Sequence, residues 1–188
     1  MKNILFLFLL TFIAVSCSTS EKKYNSNEME FEVLDSLVQS DPVQIDSLAK
    51  FRVPISFNLA DSNVFSLLSR KISATNTYSL AVKSIFLSNE SIVVCSTVPR
   101  DSLTLDLLKA NTNDIFNRNN VWQKVQLNIF NYNKISFHQV MLQNNQMVCF
   151  KLIGDKGYDD YFQIDYLISL KDYSTLIKSI ESSIGSIY

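Results

Sequence analysis

The apolar positions in the second half of the chain fall in short β-rich runs set apart by turn residues, the pattern of strands with one buried face. Tyr78 to Leu87 and Ser91 to Val98 are two such runs, and Ser88-Asn89-Glu90 between them is a hairpin signal. After Trp122 come four more: Lys124 to Phe130, Ile135 to Leu142, Gln146 to Ile153 and Tyr161 to Ile168. Asn144-Asn145 suits the positive-φ positions of a tight hairpin turn, and Gly154-Asp155-Lys156-Gly157 supplies the next turn. In the last run Phe162, Ile164, Tyr166 and Ile168 share one face.

Helical spacing appears in four places. Phe31, Leu34, Leu37 and Val38 predict a short amphipathic helix that stops at Asp41-Pro42. Phe51 to Leu59 reads as an extended segment broken at Pro54, after which Asp61 or Ser62 caps a short helix carrying Phe65 and Leu68. Pro99-Arg100-Asp101-Ser102 ends the first hairpin, and Asp101 or Ser102 can cap a helix whose stripe is Leu103, Leu107, Leu108, Ile115 and Phe116. Ser169 or Asp172 opens a closing helix with Tyr173, Leu176, Ile177, Ile180, Ile184 and Ile187 on one face. Lys178, Glu181 and Ser182 are expected on the other.

The start of the chain has a different character. Lys2 precedes an unbroken apolar run from Ile4 to Val15, which ends at Ser16-Cys17. As a helix that run would rise about 1.5 Å per residue, roughly 18 Å in all, against the roughly 30 Å of a bilayer core. It therefore reads as a secretory signal peptide over 1–16, to be set aside from the fold. Ala14-Val15-Ser16-Cys17 resembles the bacterial lipoprotein signal, in which a cysteine becomes acylated and then the first mature residue. Ala14 departs from the usual Leu. The resemblance implies lipid attachment at Cys17 and anchorage in the cell envelope, with acyl chains such as palmitate holding the chain in the membrane. Ser18, where an Asp would retain such a protein in the inner membrane, favours the outer membrane. Residues 17–28 are polar and read as an acylated cysteine and flexible linker, leaving 29–188 as one domain.

With 188 residues, 47% of them hydrophobic, the chain is long enough to bury a single core. A formal net charge of −1 argues against nucleic acid, which needs a basic footprint. The single histidine, His138, rules out a multi-histidine metal site, and no cofactor or metal is expected. The three glycines stand at 154, 157 and 185, so neither a P-loop, a Rossmann fingerprint nor Gly-x-Ser-x-Gly can be written. His138 is out of phase with Ile135, Phe137 and Met141, which places it as a plain strand residue rather than a catalytic one. Cys95 and Cys149 lie among apolar strand neighbours and read as small buried hydrophobes, with a disulfide as the alternative.

The order of hairpin, helix, antiparallel meander and terminal helix resembles the PsbP-like fold over roughly Phe51 to Ile187. Its closing Phe162-Gln163-Ile164-Asp165-Tyr166 strand and Ile180 to Ile187 helix carry the resemblance. It implies an α+β class, a central mostly antiparallel sheet flanked by helices on both faces. Members of that fold include bacterial lipoproteins and photosystem accessory proteins, and many act by docking to partners. The likeness is one of element order and carries no catalytic signature.

One local feature stands out. Tyr158, Asp159, Asp160 and Tyr161 form an acidic and aromatic turn that can meet a sugar, a cation or a basic patch on a partner. It lacks the spacing of a calcium loop. The expectation is a lipid-anchored, non-catalytic accessory or interaction module of an envelope assembly, with unknown protein partners. The alternatives are a binder of a small molecule or saccharide and, behind it, a carboxylate-based hydrolase. The latter needs one carboxyl held in an apolar pocket.

Overall fold

The computed structural model describes residues 27–104, 106–108 and 124–188. The signal peptide, Cys17, the linker as far as residue 26, and Ile115, Phe116 and Trp122 lie outside the described residues.

Ten strands, two helices and the first turn of a third, at 106–108, are described. The strands are β1 (Asn27–Glu28), β2 (Val43–Ile45), β3 (Ala49–Phe51), β4 (Asn58–Leu59), β5 (Ala81–Ser88), β6 (Ser91–Pro99), β7 (Lys124–Tyr132), β8 (Ile135–Gln143), β9 (Met147–Asp155) and β10 (Asp160–Ser169). The helices are α1 (Ser62–Thr75), between β4 and β5, and α2 (Tyr173–Gly185), after β10. Eight strands form one sheet in the order β1-β7-β8-β9-β10-β6-β5-β4, and β2 and β3 form a separate hairpin. Every neighbour in the large sheet is antiparallel except β1, which runs parallel to β7. The α+β class expected from the sequence is the one observed.

The sheet has two buried faces. On one, Phe162, Ile164, Tyr166 and Ile168 of β10 meet Leu176, Ile180, Ile184 and Ile187 from α2 and its C-terminal extension, together with Ile45 and Phe51 from the small hairpin. Each such side chain, taken fully out of water, contributes about 1.5–3 kcal/mol. The other face holds Val98, Leu103, Leu108, Val140, Leu142, Cys149 and Ile153. Asp61 caps α1 by accepting from the Asn63 and Val64 amides at 2.9 Å each, and α1 lies against β5 without a fully buried residue.

Several local expectations are corrected. Phe31 to Val38 is not an amphipathic helix: only Asp35–Leu37 make a 3-10 turn, and Val38 bridges Pro54 as extended chain. Tertiary packing decides this, because the Phe31 ring packs on Phe130 and Tyr132 and the Leu34 amide donates to Ser182 Oγ at 3.2 Å. Ser182 is therefore buried, not solvent-facing. Asn27 and Glu28, placed in the linker, belong to the sheet. The double positive-φ turn is Asn133-Lys134 (φ 49° and 62°), not Asn144-Asn145. Asn144 instead folds its own turn, its Oδ1 accepting from the Gln146 and Met147 amides at 2.8 Å each.

The helix after Pro99 starts later than expected. Thr104 Oγ1, rather than Asp101 or Ser102, accepts from the Leu107 amide at 3.1 Å, and Leu107 is exposed. Gly154 and Asp155 finish β9 and leave the turn to the residues after them.

Candidate functional site

The β9–β10 turn sits at the end of the sheet that also carries the β7–β8 turn and the close of β6. Gly157 gives this turn its left-handed residue (φ 80°), and its amide donates to Asp155 Oδ1 at 2.7 Å. Pairing of Asp160 with Pro99 brings Arg100 alongside, and the Arg100 amide donates to the Asp159 carbonyl at 3.1 Å.

The Arg100 guanidinium then locks the turn. Nη2 and Nη1 donate to Asp155 Oδ1 and Oδ2 at 2.6 and 3.1 Å, a bidentate pair. Nε donates to the Tyr158 carbonyl at 2.9 Å and Nη1 to the Tyr161 hydroxyl at 3.3 Å. The guanidinium carbon lies 4.4 Å from the Tyr161 ring centroid. Arg100's hydrogen bonds hold the Asp155 carboxyl below the usual carboxylate range, with the Gly157 amide adding to the effect against partial burial. The same bonds raise Arg100.

Of the four residues picked from the sequence, Tyr161 is half-buried under the guanidinium and Asp160 is half-buried at the start of β10. Asp159 is exposed and Tyr158 is 56% exposed. Sequence reasoning missed Arg100, which lies 55 positions before Asp155. Its only signal was a lone basic residue where the hairpin run ends at Pro99.

A cleft of about 780 Å³ opens beside this turn, bordered by Glu28, Met29, Tyr132, Asn133, Asp155 and Gly157. It has the volume of a ligand site, with carboxylates and amides in its rim.

A second polar group is buried within the other face of the sheet. Lys151 Nζ lies 3.3 Å from Asp165 Oδ1 and donates to the Tyr78 hydroxyl at 3.2 Å. Tyr78 donates to Gln163 Oε1 at 2.7 Å, and Gln163 Nε2 donates to Asp165 Oδ2 at 2.7 Å. Burial works against the Lys151 ammonium, but the Asp165 charge with Tyr78 and Cys149 outweighs it and raises the lysine's pKa. Burial likewise raises Tyr78. These bonds tie the Tyr78 segment to β9 and β10.

Cys95 and Cys149 are both free and buried, and they belong to opposite faces of the sheet. A disulfide between them is excluded by that placement, and burial pushes both thiols up to about 12. His138 is half-buried on β8, on the face of Val140 and Leu142. Among the described residues no three His, Cys, Asp or Glu side chains form a metal-holding group, and no helix is long and apolar enough to cross a membrane.

No protein-family model matches the chain, and no curated protein matches it. Among solved structures it is similar to the solution structure of cyanobacterial PsbP (CyanoP) from Synechocystis sp. PCC 6803. The two are 11% identical, the match covers 74% of this chain and 85% of that one, and the TM-score is 0.46. The α+β class stands on the sheet described above, independently of that comparison.

Proposed function

We propose that this chain is a lipid-anchored envelope protein whose domain works by non-covalent recognition, with the Arg100-locked turn as its contact surface. The observation that carries the reading is the lock itself. One guanidinium fixes Asp155, the Tyr158 backbone and Tyr161, yet leaves the Tyr158 side chain and the Asp159 carboxylate outside. An exposed aromatic on a backbone that is already ordered binds without a large entropic cost, as recognition hot spots do. The acidic rim fits a basic patch on a partner protein of the envelope.

β1 pairs with the close of β7, at Phe130 and Asn131, so the first described residues lie at the end of the sheet that carries the turn, and Glu28 and Met29 border the adjoining cleft. The ten residues from Cys17 to Asn27 reach at most about 35 Å. By the lipoprotein resemblance at Ser18, the membrane is the outer one. A saccharide or other small polar ligand in the adjoining cleft is the second reading, favoured by its volume of about 780 Å³. Asp155, bonded to Arg100 with its carboxyl held below the usual range, is unsuited to be the general acid of a carboxylate-based hydrolase.

The test is a photo-crosslinking residue at position 158 of the full chain in intact cells, followed by mass spectrometry of what it captures. Capture of an envelope protein, lost in Arg100→Ala, is expected. No captured protein, with a small ligand co-purifying instead, would overturn the reading.

A further inference from the structure

The two edges of the large sheet are protected very differently. At the β5 edge, β4 pairs with Phe86 and Leu87, a bulge interrupts the register between Val82 and Ser84, and Lys83 is held by Asp46 at 2.7 Å. Helix α1 lies against the same strand. A bulge, a lysine and a covering element are the devices by which proteins stop an edge from pairing with another chain. Among the described residues the β7 edge has no bulge, and its one lysine, Lys124, stands at the start of the strand. Among the described residues its outer side is paired only at Phe130 and Asn131, by the two-residue β1, while β7 itself begins at Lys124. Positions 125–129 read Val-Gln-Leu-Asn-Ile, without a charge, a proline or a glycine, and Ile129 is 41% exposed.

We propose that this edge pairs with the same edge of a second copy, antiparallel about a two-fold axis through Leu127, so that the two sheets continue into one. Three observations select a second copy as the occupant. First, of the six positions that β1 leaves open ahead of Phe130, the five from Val125 to Ile129 are centred on Leu127, so a two-fold there uses all but Lys124. Second, that register keeps the faces matched. Leu127 meets its own counterpart on the face where it packs with Val140 and Leu142, and Gln126 falls opposite Asn128 of the other copy. Third, a carboxamide ladder already runs along the opposite face. Gln126 Nε2 donates to Asn128 Oδ1 at 3.1 Å, and Asn128 Nδ2 donates to Gln139 Oε1 at 3.2 Å. Each carboxamide both donates and accepts, so Gln126 and Asn128 are mutually complementary across the axis. The contact is isologous and closes at two copies, since each copy has one open edge of this kind.

This pairing stands apart from recognition at the β9–β10 turn, and its test reads a different quantity. Leu127→Cys is introduced into the full chain, which is oxidised mildly in its native membranes and separated under non-reducing conditions. Directly opposed residues of an antiparallel pair lie about 4.5–5.5 Å apart at Cα, within disulfide reach. A covalent dimer is expected, with Ser66→Cys on the exposed side of α1 staying monomeric. In detergent, wild type is expected to sediment as a dimer and Gln126→Lys/Asn128→Lys as a monomer. Gln126→Lys/Asn128→Glu, which sets a lysine against a glutamate across the axis, is expected to restore the dimer. A monomeric wild type at every concentration tested, or a Leu127→Cys chain linked only to a protein of different mass, would overturn the proposal. Failure to capture a partner from position 158 would leave these results untouched, and the reverse also holds.

Discussion

The Phe162 ring occupies the space where any residue but glycine at position 154 would carry its Cβ. The two are register partners on β9 and β10, and Phe162 is fully buried with its edge toward Phe137, the ring centroids 5.9 Å apart. Gly154 thus owes its place to close packing within a strand rather than to turn formation. Gly154→Ala is expected to destabilise the domain by about 1–3 kcal/mol, the cost of forcing extra volume into a packed core. Urea unfolding measures this, and adding Phe162→Leu in the same chain is expected to return part of the loss. Equal stability of Gly154→Ala and wild type would contradict the assignment.

Asp155 supplies a pH dependence. Its folded pKa lies below that of the unfolded chain, because Arg100 bonds to the ionised carboxylate. The stabilisation is therefore complete above the ordinary aspartate range and disappears as pH falls through the lower folded value. Asp155→Asn is expected to melt lower than wild type at neutral pH and to lose part of the downward slope of melting temperature on the acid side. Parallel acid limbs for the two proteins would count against the lock.

The Lys151 and Asp165 pair is expected to behave as a buried ion pair. Lys151→Met leaves the Asp165 carboxylate inside without its cation, a loss of about 3–5 kcal/mol. Lys151→Met/Asp165→Leu removes both charges and is expected to recover most of that loss. A double variant no better than the single one would show that Tyr78 and Gln163 depend on the charges for their arrangement.

Thiol chemistry checks the two sheet faces. Cys95 and Cys149 are both buried, with thiols pushed up to about 12, so neither is expected to react with a thiol reagent in the folded protein at neutral pH. Both are expected to react at once in denaturant, and oxidation of the native chain should give no internal disulfide. Rapid labelling of either thiol in the folded state would be the contrary result.

The sheet was largely legible because its signal is local. β6, β8, β9 and β10 each carry apolar runs bounded by turn residues, and the α2 stripe from Leu176 to Ile187 lies on one helical face. Long-range packing accounts for what the pattern missed. Phe31, Leu34 and Val38 have helical spacing, yet the rings of Phe130 and Tyr132 and the hydroxyl of Ser182 draw that stretch out across α2. At the candidate site the acidic and aromatic turn was visible in sequence, while its organising cation was not. Arg100 reaches Asp155 only because β6 pairs with β10 and β10 with β9, two registers that no spacing along the chain reveals.

Whether this domain works from a membrane is tested most directly by the mass of the protein extracted from its own cells. The expected species begins at Cys17, carries acyl groups on that residue and partitions with the membrane fraction, while Cys17→Ala is shed into the soluble fraction. A fully water-soluble protein that keeps residues 1–16 and an unmodified Cys17 would contradict the anchored role.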